Sequence, residues 1–166
     1  MVIEKWHKYV RTKDISILDN LISENAIFYS PVVHTPQKGA KITKTYLKAA
    51  SEVLFDNSFK YINEMQVNNQ AICEFECKLD DIYVNGIDII SWKNNKITNF
   101  KVMVRPLKGI LLLKEKMAKI LEKYYQPGEF NEGRQKMVWM PENASLIINP
   151  TSGAPGFSVE NVFCLP

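Results

Sequence analysis

The stretch from Tyr83 to Arg105 constrains the fold most, because two alternating runs, Tyr83 to Trp92 and Lys96 to Arg105, meet around Lys93, Asn94 and Asn95. Period-two alternation marks a strand with one face on a core, and asparagine tolerates the left-handed backbone that closes a hairpin. The register of this hairpin decides what faces inward. A two-residue loop pairs Lys93 with Lys96 and puts Asp88 on a mixed face with Asn99, Lys101, Met103 and Arg105. A three-residue loop pairs Trp92 with Lys96 and sets Asp88 opposite Phe100. One face then carries Val84, Gly86, Asp88, Ile90, Trp92, Phe100, Val102 and Val104, and the other Asn85, Ser91, Asn99, Lys101 and Arg105. The three-residue loop is the expected one, and it leaves Asp88 as the one ionisable group in an apolar row.

Two further strands precede this pair. Phe59, Tyr61, Met65 and Val67 alternate with Lys60, Glu64 and Gln66, and Ala71, Cys73, Phe75, Cys77 and Leu79 alternate with Glu74, Glu76 and Lys78, with Asn68 and Asn69 as the turn. Upstream, the spacing predicts a short helix from Ile3 to Val10 and a second one starting at the N-cap Asp14. An extended piece from Asn25 to Val33 is broken at Ser30-Pro31. Gly39 opens a helix from Ala40 to Leu54 whose apolar stripe, Ile42, Tyr46, Leu47, Ala50, Val53 and Leu54, lies on the sheet. Pro106 ends the last strand, and Leu107 to Tyr125 reads as a closing helix. The expected class is therefore α+β, a curved antiparallel sheet packed by N-terminal helices around an internal pocket, with a C-terminal helix and arm. Residues 1–125 form the domain. Residues 126–166, rich in Pro, Gly and Asn, form an arm whose apolar islands at Val138 to Met140 and Leu146 to Ile148 dock on the same body or on a partner subunit.

With 166 residues the chain fits one domain. Lys and Arg number 21 against 18 Asp and Glu, and the basic residues are scattered, so no stripe suited to nucleic acid forms. The N-terminus is charged where a signal peptide is apolar, and no run approaches a membrane span, so a soluble, cytoplasmic protein with no membrane partner is expected. Cys73, Cys77 and Cys164 are odd in number and lack zinc or redox spacing, which reads as buried free thiols. No phosphate loop, nucleophile elbow or metal-ligand helix is visible, so no cofactor or metal is expected.

Three stretches in this order, KDISILDNLISENAIFYSPVV, QKGAKITKTYLKAA and NGIDIISWKNNKITNFKVMVRP, resemble the nuclear-transport-factor-2-like superfamily, which includes the SnoaL-like polyketide cyclases and ketosteroid isomerase. The resemblance runs from about Trp6 to Pro106. Ketosteroid isomerase uses an Asp base with an oxyanion hole of Tyr and protonated Asp. The resemblance puts Asp88 at the position of the oxyanion-hole Asp, Ser30 at that of the base and Trp6 at that of the Tyr. It implies that these three look into one cavity, and the departure at Ser30 argues against the family's isomerisation, since serine without a base cannot take a carbon-bound proton. It also implies a homodimer through the outer face of the sheet, with Ile87, Ile89 and Met103, to which Trp139 of the arm can add.

The candidate catalytic residues are Asp88, whose ionised form desolvation disfavours, and His34 in the loop SPVVHTPQKG at the pocket mouth. Trp6, Tyr9, Ser30, Tyr46, Phe75, Ile90, Phe100 and Val102 are the candidate ligand-binding residues. Tyr29 and Tyr61 are further sources of hydroxyls, His7 is expected to point outward, and Arg105 to lie on the face away from Asp88. The expected function is binding of a small hydrophobic molecule, with or without cofactor-free acid/base chemistry of an isomerase, cyclase or hydratase at Asp88. The alternative is a dimeric interaction module with a filled cavity.

Overall fold

The computed structural model describes residues 1–121 and Lys123, together with the backbone of three short strands further on. Two units result, Met1–Pro127 and Gly128–Pro166. The first runs α1 (Val2–Thr12), α2 (Ile15–Leu21), β1 (Ile22–Tyr29), β2 (Gln37–Lys38), α3 (Ala40–Leu54), β3 (Lys60–Val67), β4 (Gln70–Leu79), β5 (Ile82–Lys93), β6 (Lys96–Arg105) and α4 (Leu107–Leu121). The second contains an antiparallel sheet of β7 (Ser145–Ile147), β8 (Gly156–Val159) and β9 (Val162–Cys164). Val138 to Met140, with Trp139, lie outside the described residues, as do the side chains of Leu146, Ile147 and Cys164.

Each helix start follows from local chemistry. Lys13 turns left-handed at φ 53° to end α1, and the Asp14 carboxylate then accepts the Ser16 N–H at 3.0 Å to cap α2. Gly39 precedes α3 at φ 105°, where an L side chain is strained. Val2, Ile3, Trp6 and Tyr9 of α1 and Tyr46, Leu47 and Leu54 of α3 are buried against the sheet, so the helical spacing read from the sequence is the packing face.

The main sheet has six strands in the order β2-β1-β6-β5-β4-β3, and it is curved but does not close into a barrel. It is antiparallel throughout except that β1 runs parallel to β6. The inner face carries the core, including Phe28, Phe75, Val84, Ile90 and Phe100.

Two bulges set the faces, and both change the register expected from the sequence. The β5–β6 loop has two residues, not three: Lys93 pairs with Lys96, and Asn94 and Asn95 are both left-handed, at φ 52° and 59°. Thr98 is then an extra residue, since Trp92 pairs with Ile97 but Ser91 with Asn99. Its hydroxyl donates to the Ser91 carbonyl at 3.2 Å. The bulge restores the parity that the short loop removes, so Asp88 shares its face with Ile90, Phe100 and Val102. Its direct partner, however, is Val102 rather than Phe100.

The second bulge lies at Ile62, between the pairs Tyr61↔Phe75 and Asn63↔Glu74. Tyr61 therefore faces inward beside Phe75, while Glu64 turns inward beside Cys73. Met65 and Val67, in the sequence reading part of the same apolar stripe as Tyr61, are 65% and 70% exposed. Strict alternation fails on this edge strand because one extra residue inverts every side chain after it.

Candidate active site

Three elements bring three polar side chains together. Trp6 sits on the buried face of α1, Tyr61 precedes the bulge of β3, and Asp88 is in the middle of β5. The Trp6 indole N–H donates to the Tyr61 hydroxyl oxygen at 2.8 Å, and the Tyr61 O–H donates to Asp88 Oδ2 at 2.6 Å. Asp88 is only 4% exposed. Burial pushes its carboxyl from the ordinary 3.8 up to about 7, against the opposing pull of the Tyr61 hydrogen bond. The Tyr61 hydroxyl is pushed well above its ordinary value, by burial first and by the neighbouring Asp88 second. Tyr61 is half-buried as a residue, and its hydroxyl is held between the Trp6 indole and the Asp88 carboxyl. Among the described residues Asp88 Oδ1 has no hydrogen-bond partner.

That carboxyl lies in the wall of an apolar recess. Trp6 of α1, Leu47, Ala50 and Leu54 of α3, and Leu113 and Met117 of α4 line it from the helices; Phe75, Phe100 and Val102 line it from the sheet, and Pro31, Phe55 and Phe59 from the connections. Asp88 is the one ionisable group among them. The recess encloses a cavity of about 20 Å³. That is room for roughly one water molecule.

A second polar cluster adjoins the first. Glu64, Cys73, Asp88 and Val102 form one row across β3, β4, β5 and β6. His7 Nε2 lies 2.6 Å from Glu64 Oε2, and the Cys73 thiol donates to the same oxygen at 3.8 Å. The His7 ring meets the Tyr61 ring edge-on at 5.1 Å. His7, expected to point outward, is thus half-buried at the edge of the site. Burial, then Glu64 and Asp88, push the Cys73 thiol up to about 12, and burial does the same to Cys77. Both stay protonated and serve as packing groups rather than nucleophiles.

Of the residues singled out in the sequence, Trp6, Phe75, Asp88, Phe100 and Val102 line the recess. Ile90 is buried on the same sheet face, one inward position beyond Asp88, and does not line it. The Tyr9 hydroxyl donates to Ser51 at 3.0 Å, and Tyr46 packs on Phe28 with ring centroids 5.4 Å apart, so both belong to the core beside the recess. The Ser30 hydroxyl accepts the Val32 N–H at 3.1 Å, holding the turn that presents Pro31 to the recess. His34 is exposed in the β1–β2 connection and is not part of the lining. The group missing from the candidate ligand-binding residues is Tyr61, which the sequence offers only beside Tyr29 as a source of hydroxyls; the bulge at Ile62 separates it from the exposed residues of β3. Among the described residues no group of three or more His, Cys, Asp or Glu is placed to hold a metal ion, and no helix is long and apolar enough to cross a membrane.

A structural comparison fits this geometry. A steroid delta-isomerase from Pseudomonas aeruginosa is similar over 74% of this chain and 90% of its own, at 29% identity and a TM-score of 0.69. A protein with a cystatin-like fold from Silicibacter pomeroyi matches over 81% and 92%, at 23% identity and a TM-score of 0.69. A nuclear-transport-factor-2-like protein from Mesorhizobium loti matches over 63% and 88%, at 14% identity and a TM-score of 0.56. No protein-family model matches the sequence, and no curated protein matches it significantly. The element order, the curved six-stranded sheet and these similarities together give the chain the fold of the nuclear-transport-factor-2-like proteins.

Proposed function

We propose that the recess binds a small, mainly apolar, uncharged molecule whose single acceptor oxygen takes a hydrogen bond from neutral Asp88. The observation that carries this reading is the Asp88 carboxyl itself. One oxygen is held by Tyr61, and the other is unpartnered among the described residues, in a wall that is otherwise apolar. A buried carboxyl near neutrality can donate to a carbonyl without placing a charge in the recess. The similarity to a protein named as a steroid isomerase supports a ligand of this kind. Binding without turnover is favoured, because among the described residues no second ionisable side chain lines the recess and Ser30 engages its hydroxyl in a turn. A ligand larger than water needs Leu113 or Met117 of α4 to move, and an unbranched methionine does so readily.

Equilibrium binding of cyclic ketones, and of hydrocarbons and amines of the same shape, between pH 5 and 9 tests this. Ketone affinity is expected to be level below pH 7 and to fall about tenfold per unit above it. Asp88→Asn should retain affinity and lose the pH dependence, since its amide donates at every pH, whereas Asp88→Leu should lose the preference for ketone over hydrocarbon. Equal affinity for ketone and hydrocarbon in the parent protein would sink the proposal.

A second reading is favoured by the outer face. Met65, Val67 and Met103 are 65%, 70% and 56% exposed, and Met65 pairs with the partly exposed Ile72, so β3 to β6 present apolar side chains outward. A homodimer through this face would cover them. Sedimentation equilibrium should give a dimer at micromolar concentration, and Met103→Glu should shift it to monomer. A parent chain that stays monomeric would refute it.

A further inference from the structure

We infer that Trp6 is a positioning residue that fixes which oxygen of Asp88 carries the acid proton, by making Tyr61 a one-way donor. This deepens the binding reading above and rests on it for its consequence, though not for its geometry.

An indole N–H donates and cannot accept. Its 2.8 Å contact therefore makes the Tyr61 oxygen the acceptor, and the proton of that hydroxyl must point elsewhere. The acceptor offered to it is Asp88 Oδ2, at 2.6 Å. Oδ2 thus receives a proton from Tyr61 and cannot direct its own at the same hydroxyl, because two hydrogens would then face each other between the oxygens. The acid proton is left to Oδ1, the oxygen without a partner among the described residues, on a side chain that lines the recess.

Without a donor at position 6 the chain of bonds can reverse. Tyr61 could accept from a protonated Oδ2, and Oδ1 would then offer the recess an acceptor instead of a donor. The choice between ligands bearing an acceptor and ligands bearing a donor is therefore made on α1, one bond removed from the group that touches the ligand. The titratable groups around Asp88 are Tyr61 on β3 and Cys73 on β4, with Glu64 and His7 beyond Cys73; α3, α4 and β6 present only apolar side chains to the recess.

The test uses the ligand-free full-length chain labelled with ¹⁵N and ¹³C, followed by NMR from pH 5 to 9. The Trp6 indole N–H resonance, assigned in the parent protein by its NOEs to the Phe100 ring, is expected to shift with the same midpoint as the Asp88 carboxyl, since ionisation of Asp88 strengthens the Tyr61 bond and through it the indole bond. Tyr61→Phe should abolish that coupling. In Trp6→Phe the Asp88 midpoint should rise by roughly half a unit to one unit, because the reversed arrangement stabilises the neutral acid. An indole resonance that does not titrate, or an Asp88 that stays ionised across this range, would overturn the inference, and so would an unmoved midpoint in a folded Trp6→Phe. Because Trp6 is wholly buried and its replacement can unfold the chain, the indole titration of the parent protein decides alone where that variant fails. If the indole titrates but no ketone binds, the proton placement stands and the ligand reading falls. If ketones bind with a silent indole, the opposite holds.

Discussion

Asp88→Asn is expected to stabilise the protein at pH 8 by roughly 2–4 kcal/mol and to flatten its pH–stability profile between pH 4 and 8. The sign follows from proton counting. In the unfolded chain this carboxyl titrates near 3.8; in the folded one burial raises it to about 7. Between those values the native state holds a proton that the unfolded state has released. Stability is therefore fully present below about pH 4 and is lost as pH rises through 7, where folding must either keep the proton or bury a charge. Asparagine is isosteric, its carbonyl accepts the Tyr61 hydroxyl as Oδ2 does, and its amide has no charge to desolvate. The variant and parent should thus differ little at pH 4 and most at pH 8. Urea unfolding at both pH values measures this. Parallel profiles for the two proteins would mean that Asp88 is ionised and well solvated in the folded state, and the neutral-donor reading would go with them.

The same residue shows how far the sequence could be read. Its inward orientation was legible, since Val84, Ile90, Phe100 and Val102 make sense only on one face together with it. The mechanism that puts it there was not. Asn94 and Asn95 are favourable for a two-residue turn, as local chemistry would suggest, and the parity problem that turn creates is solved at Thr98, three residues away. A bulge costs one residue and leaves no pattern in composition, so alternation alone could only shift the discrepancy into the loop. The bulge at Ile62 had the larger effect on the site. It keeps Tyr61 inside while sending Met65 and Val67 out, and brings Glu64 under His7. Helix boundaries fared better, because Asp14, Gly39 and Pro106 act through their own backbone geometry. His34 illustrates the opposite error: proximity in sequence to Ser30 suggested a place at the pocket mouth, but the connection carries it to the surface.

Gly86→Ala is expected to destabilise the fold by about 3 kcal/mol, at the upper end for overpacking by one methyl group. A Cβ at this position would stand 2.3 Å from Cζ of Phe75 and 2.7 Å from the Met103 carbonyl oxygen, both inside the closest approach that real Cβ atoms make. Phe75 cannot simply retreat. Its ring stacks on Phe59 at 5.2 Å and meets the edge of Tyr61 at 6.4 Å, and it forms part of the recess wall. Gly86 lies two residues before Asp88 on the same face, paired with Phe75 on one side and Val104 on the other. The missing side chain is what lets the Phe75 ring lie over β5 beside the Tyr61 ring. If that account is right, the cost is a contact between two residues and must be shared by them. Phe75→Leu in the Gly86→Ala background should then cost less than the two single changes together, with a coupling of at least about 1 kcal/mol by chemical unfolding. Strict additivity would place the strain at the Met103 carbonyl instead, in the backbone of β6, and Gly86 would be serving the sheet rather than the recess.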